Sequence, residues 1–478
     1  MGNQLHDLGS YKEQFKKRIL NDTIDCEKII SDEASNKNNI KITKRIRNAA
    51  SSAGGKKKIL KLITMLLLVS CICVSFSGCL FWEKEDTQYE KTQTPNEEAA
   101  DIKAQESKET ASDELKEEVS GLSEEETVEK IMQEMTLSDM VYQMLFVRPE
   151  AITGVGQAIQ AGSQTKEGLA NYPVGGIAYF AQNFQNREQT KEMIKNTKSY
   201  SKIPLFISVD EEGGRVSRLG ANSQMGITKH PPMLEIGNTK DSQKAYEVGK
   251  TLAKELKELG FNMDFAPITD VLVETKTNEI GDRSFGSDPQ IVAQMVRSEV
   301  TAMQKNGISA TLKHFPGHAS AGENSHYKAT VSTRTLEQFK STEFIPFIAG
   351  IDAGADFVMV SHMILINATE EKVPSSISKE IITDLLKNEL GFKGIIITDS
   401  FEMGGIKSED KNKQLEENVK NAVKAIEAGA DMILMPMNMK ATHDGIVAAV
   451  KSGEISAERI KESVRKIISL KVKKGMFE

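Results

Sequence analysis

The segment Lys313-His314-Phe315-Pro316-Gly317-His318, followed by Asn324-Ser325-His326, gathers one lysine and three histidines into a short stretch of chain. Imidazoles are the side chains best suited to give and take protons near neutral pH. The segment Ile397-Thr398-Asp399-Ser400-Phe401-Glu402-Met403-Gly404 sets an acid directly after an apolar run. Such an acid can serve as a nucleophile, a base or a charged anchor, and in isolation it could equally cap a following helix. His314 and His318 have H-x3-H spacing, which on a helix would suit a metal. Pro316 and Gly317 interrupt any helix there, so no metal is expected.

These residues need a scaffold. Eight short apolar runs recur: Tyr142–Val147, Val174–Phe180, Pro204–Asp210, Asn262–Pro267, Ser309–His314, Phe357–Ser361, Gly394–Asp399 and Asp431–Pro436. Between them lie amphipathic stretches such as Asp241–Leu259, Pro289–Asn306, Thr335–Ala353, Ser378–Leu390 and Asn412–Ala428, several of them followed by glycine. Strands alternating with helices predict an α/β fold with a parallel sheet, and this repetition predicts a single-domain (β/α)8 TIM-type barrel. No G-x-G-x-x-G follows the first run, which argues against a dinucleotide fold. In such a barrel the chemistry sits at the C-terminal strand ends. Asp210, Asp264, Lys313, His314, His362 and Asp399 all fall in or just after the runs.

The same ends carry Val209-Asp210-Glu211-Glu212-Gly213-Gly214-Arg215-Val216 and Gly281-Asp282-Arg283-Ser284-Phe285-Gly286. With the two segments above, in this order, they resemble glycoside hydrolase family 3, and most of all its single-domain bacterial β-N-acetylglucosaminidases (β-hexosaminidases). The resemblance implies a retaining exo-β-N-acetylglucosaminidase acting on cell-wall (peptidoglycan) fragments. It implies Asp399 as nucleophile and His326, on the loop after the fifth strand, as general acid/base. Asp210, Arg218, Arg283, Lys313 and His314 would hold the sugar, with Lys313 and Arg283 keeping Asp399 ionised. No metal or organic cofactor is expected. One departure stands out: the family's loop histidine usually follows, two residues on, an Asp that pairs with it, and here that position is Asn324. By analogy with losing the Asp of a triad, this would cost roughly 10²–10⁴-fold in rate.

Two other readings stay open at this point. One is a β-glycoside phosphorylase or another β-glycosidase, because an imidazole acid does not repel phosphate. The other is a lipoprotein that binds amino sugars without turning them over, the reading that Asn324 favours. A metal-dependent amidohydrolase barrel is disfavoured because no H-x-H ends the first run. Among the remaining residues, Arg215 and Glu212 are expected to pair beneath the site, His318 to pack the turn, His362 to be a satisfied rim residue and Met403 to fill core.

Composition narrows the setting. All four cysteines, Cys26, Cys71, Cys73 and Cys79, lie in the first 79 residues of 478, so the remainder has no disulfide, thiolate metal site or catalytic cysteine. Residues 1–58 carry a net +6 and the rest −13, a poor balance for wrapping nucleic acid. Residues 1–55 read as a polar N-terminal extension. Residues 56–82 place three lysines before an apolar run ending Ser77-Gly78-Cys79, which resembles a lipoprotein signal lipidated at Cys79; an uncleaved anchor is the alternative. Either one predicts an extracytoplasmic body held at the cell membrane. Residues 83–122 read as a disordered acidic linker. The catalytic domain is expected over 123–478, opening on the capping-box patterns Ser123-x-x-Glu126 and Thr136-x-x-Asp139.

Overall fold

The computed structural model describes residues 111–273, 279–320, 330–406, 410 and 412–478. The predicted extension, the signal segment with Cys79, and the loop residues Asn324 and His326 lie outside the described residues.

Each of the eight apolar runs contains a strand. They are β1 (Leu145–Val147), β2 (Gly176–Ala178), β3 (Phe206–Ser208), β6 (Met263–Asp264), β7 (Ser309–Phe315), β9 (Phe357–Val360), β11 (Ile395–Thr398) and β12 (Ile433–Leu434). All eight are buried on both faces, which is why they read as continuous apolar runs rather than as alternating ones. Parallel pairing gives two four-stranded sheets, β12-β1-β2-β3 and β11-β9-β7-β6. The sheets join at both edges. Ile397 bridges Met432 in parallel, and Asn262 N–H and Phe265 N–H donate to Ile207 O at 3.2 Å and Val209 O at 2.9 Å. The strand order therefore returns to β1.

Among the described residues four further strands stand outside this ring: the hairpin β4 (Glu211–Gly213) and β5 (Val216–Ser217), and the pair β8 (Val331–Thr335) and β10 (Ile364–Asn367). The interior is filled by aromatic rings from facing strands. Phe206 of β3 meets Phe357 of β9 edge-on at 5.1 Å, and Phe146 of β1 meets Phe265 at 5.5 Å. From outside, Lys471 of the last helix (Ala457–Lys473) buries its ammonium stem until Nζ donates to Gln143 Oε1 at 2.7 Å above the Phe206 ring.

Both capping boxes form, with Glu126 Oε2 accepting from Ser123 N–H at 2.9 Å and Asp139 Oδ2 accepting from Thr136 N–H at 3.0 Å. The folded body starts earlier than Ser123, however. Ala111–Val119 is a helix whose Leu115 and Val119, spaced i,i+4, are buried in the main core, inside the stretch expected to be linker. Its few apolar residues are enough because they share one face. The predicted helix over Thr335–Ala353 is instead two, Leu336–Ser341 and Phe344–Asp352. Among the described residues no helix is long and apolar enough to cross a membrane.

Candidate active site

Because the eight strands run in parallel, Asp210, Lys313, His314 and Asp399 emerge at one end of the ring. Together with Arg218 and Arg283 they line a cavity of about 410 Å³ at the strand ends, within the ~300–1,000 Å³ usual for small-ligand sites. All the described residues expected to hold the sugar or attack it thus meet in one place. Asp264 and His362 do not line it. Asp264 is fully buried, accepts Glu211 N–H at 3.0 Å, and burial pushes its carboxyl well above the usual carboxylate range.

The floor is a compact lattice of opposite charges. Lys313 Nζ lies 2.6 Å from Asp210 Oδ1 and 2.6 Å from Glu212 Oε1. Arg283 donates through Nε and Nη2 to the two oxygens of Glu212, both at 2.8 Å. Arg218 is more loosely held, its Nη2 3.8 Å from Asp210 Oδ2. Burial alone would raise the Glu212 carboxyl, but the two cations outweigh it and hold it far below the usual range. Burial likewise depresses Lys313, and the carboxylates of Asp210 and Glu212 reverse this to a net rise. The lattice is therefore charged throughout and fixed before any ligand arrives.

Two expected pairings are corrected here. Glu212 is taken by Arg283 and Lys313, so Arg215 turns to Asp282, with Nε 2.7 Å from Oδ1, and donates to the carbonyls of Glu279 and, at 3.1 Å, Ile280. The hairpin β4–β5 can deliver both Glu212 and Arg215 because its turn is Gly213-Gly214, with φ of 90° and 55°. A Cβ at Gly214 would fall 2.8 Å from Pro232 Cα. The second correction concerns Asp399. Lys313 and Arg283 are committed to other carboxylates and are not what keeps it ionised. Burial raises the Asp399 carboxyl, and the neighbouring His314 and His362, the Ser400 N–H and His318 overcome this to lower it. That N–H donates to Asp399 Oδ1 at 2.7 Å.

His314 is oriented by Asp270, which lies 2.8 Å from Nδ1 and also accepts the His314 N–H at 3.0 Å. The same buried carboxylate accepts from the backbone N–H of His318 and of Ala319, so one acid organises the turn after β7. At the apex, Gly317 adopts φ 133° against the side chain of Glu343. His318 is buried as expected and bonds Glu279 through Nε2; burial depresses it, but Glu279 and then Asp270 and Asp399 bring it to a net rise. Met403, expected in the core, is 9% exposed and lines the cavity.

Glu279, Glu402 and the organising Asp270 were not singled out from the sequence. Asp270 follows the fourth apolar run in Ile268-Thr269-Asp270-Val271, and an acid between β-branched residues in an otherwise apolar stretch was a readable sign of a paired, buried carboxylate. Glu402 faces the cavity and meets Arg148 Nη2 at 2.8 Å. Among the described residues no group of three or more His, Cys, Asp or Glu is placed to hold a metal.

Comparison with known proteins shows what the chain is similar to. The model of the glycosyl hydrolase family 3 N-terminal domain matches residues 136–470. A β-hexosaminidase of Stenotrophomonas maltophilia (strain R551-3) is 34% identical over 247 residues, covering 50% of this chain and 71% of that protein. One from Xylella fastidiosa (strain M23) is 33% identical over 280 residues, covering 57% and 79%. Among solved structures, a family 3 β-N-acetylglucosaminidase from Paenibacillus sp. FPU-7 superimposes with a TM-score of 0.65 at 34% identity over 71% of this chain, which spans 63% of that one. A β-N-acetylhexosaminidase from Beutenbergia cavernae gives 0.61 at 26% identity over 71% of this chain and 99% of that one.

Proposed function

This chain belongs to glycosyl hydrolase family 3, and from that premise we propose that it is a retaining exo-β-N-acetylglucosaminidase that removes terminal N-acetylglucosamine from cell-wall fragments. The observation that carries the reading is the placement of Asp399, ionised and backbone-anchored, in the same cavity as the Asp210, Lys313, His314, Arg283 and Arg218 donors and acceptors. A pyranose seated there would present hydroxyls to a fixed set of charged partners, whose bonds cost no reorganisation during the reaction.

In the first step an Asp399 oxygen bonds to the anomeric carbon while the bond to the leaving oxygen breaks, and His326 gives that oxygen its proton. In the second, His326 takes a proton from water, the water oxygen bonds to the same carbon, and the Asp399 carboxylate leaves. Two inversions give net retention. The folded body, from the helix Ala111–Val119 onward, acts as the catalytic domain in this reading, and Cys79, lipidated, ties it to the outer face of the cell membrane. Two acyl chains on such a cysteine suffice for stable anchoring.

Hydrolysis of an aryl β-N-acetylglucosaminide by the whole protein and by Asp399→Ala tests the reading. It predicts loss of turnover in the variant with folding intact, and a β-configured first product in the parent. Unchanged turnover in Asp399→Ala would end the nucleophile assignment, and a sugar 1-phosphate formed on adding inorganic phosphate would favour the phosphorylase. Asn324 supports a second reading, an amino-sugar-binding lipoprotein without turnover. Binding of N-acetylglucosamine with no hydrolysis, and activity gained in Asn324→Asp, would favour it.

A further inference from the structure

His362 stands just beyond β9, and at 1% exposure it is sealed from the cavity. Both ring nitrogens are engaged, Nε2 at 2.9 Å from the carbonyl oxygen of Ser400 and Nδ1 at 2.7 Å from Ser376 Oγ. A carbonyl oxygen only accepts, so Nε2 carries the proton. At neutral pH the ring is uncharged, because burial lowers its basicity more than the nearby Asp399 raises it, and it takes up charge only in acid. In the neutral ring Nδ1 is then the acceptor and the Ser376 hydroxyl the donor. Phe401 packs edge-on against the imidazole at 5.4 Å, which leaves it one orientation.

The carbonyl that His362 holds belongs to the turn that aims the acid. Ser400 O also accepts Met403 N–H at 3.0 Å, Asp399 N–H donates to Val360 O at 2.8 Å and Phe401 N–H to Leu434 O at 2.9 Å. The N–H of Ser400 belongs to the preceding peptide, which meets the held one at Ser400 Cα, and it donates to Asp399 Oδ1 at 2.7 Å, so holding the carbonyl restrains the peptide that holds the carboxylate. Among the described contacts that fix Ser400, the imidazole's is the one made by a side chain from outside its own turn, from the segment just after β9. We infer that the chain Ser376–His362–Ser400 is a positioning device for the nucleophile, with His362 its key residue. It fixes which oxygen of Asp399 is held by the backbone and which is left to attack. This rests on Asp399 acting as the nucleophile.

The test is steady-state hydrolysis of an aryl β-N-acetylglucosaminide by the full chain carrying His362→Leu, His362→Gln or Ser376→Ala, beside Asp399→Ala. Misplacing a reacting group by about 1 Å costs on the order of 10²-fold. His362→Leu is therefore expected to lower kcat by about that factor while KM stays within about twofold, since the sugar contacts are untouched. Gln can place an amide N–H near the position of Nε2, so His362→Gln should recover most of the lost kcat, which a packing role alone would not produce. Should His362→Leu fail to fold, Ser376→Ala decides, with an expected several-fold fall in kcat at unchanged KM. Parental kcat in folded His362→Leu, parental kcat in Ser376→Ala, or a Gln variant no better than Leu would each overturn the inference. If Asp399→Ala itself stays active, the nucleophile reading has failed instead.

Discussion

Lys313 Nζ lies 2.6 Å from Glu212 Oε1, and neither side chain is more than 2% exposed. Two buried charges this close are stable only as a set, because removing one leaves the others desolvated and unmatched. Glu212→Gln should therefore destabilise the protein by about 3–5 kcal/mol and raise KM as Arg283 and Lys313 lose their fixed positions. Urea denaturation followed by kinetics checks both. A variant with parental stability would show that the lattice is not built around Glu212.

The acid limb of kcat/KM should fall below the ordinary carboxylate range, since Asp399 is held below its usual value once His314, His362, the Ser400 N–H and His318 have overcome burial. The proposed mechanism needs its ionised form, and a lowered value keeps it ionised as pH falls. His318 is raised and so carries positive charge at acid pH. Replacing it by Gln removes that charge and should move the acid limb upward. An unmoved limb in His318→Gln would contradict this electrostatic account.

Glu299, on the helix Pro289–Lys305, has one carboxyl oxygen buried without a partner, and burial pushes the group up to about 8. A folded value raised above the unfolded one contributes stability that is full below about pH 4.5 and lost as pH rises through about 8. Glu299→Gln should thus be more stable than the parent by about 1–3 kcal/mol at pH 8, the difference shrinking toward pH 4. Thermal melts across this range would show it, and equal melting temperatures at pH 8 would refute it.

Gly317→Ala adds a Cβ that would fall 2.5 Å from Glu343 Cγ, at φ 133°. The strain should cost about 1–3 kcal/mol and lower kcat by displacing the turn that carries His314. Kinetics and melting on one preparation measure both, and a neutral substitution would mean the turn yields freely.

Much of this was legible in the sequence. The eight strands stood out because burial on both faces makes each a continuous apolar run, and Asp210, Lys313, His314 and Asp399 stood out because charge at a buried strand end needs a use. The partnerships were not legible. Glu212 and Arg215 are close in sequence and opposite in charge, yet a hairpin with two left-handed glycines sends them to different partners on the segment Gly281–Arg283. Asp270 could be read as a buried acid, but its partners, the His314 ring and backbone amides of a turn 44 to 49 residues away, leave no trace in spacing along the chain. Leu115 and Val119 were too sparse to signal a helix until the core they dock on was in place.

The rings of Phe206 and Phe357 meet across the middle of the barrel and, with the buried stem of Lys471, stopper the end away from Asp399. The pocket is consequently a cul-de-sac. In the proposed activity a polymer would not thread through such a pocket: a chain terminus would enter it, and the released sugar would leave by the same doorway before the next terminus enters.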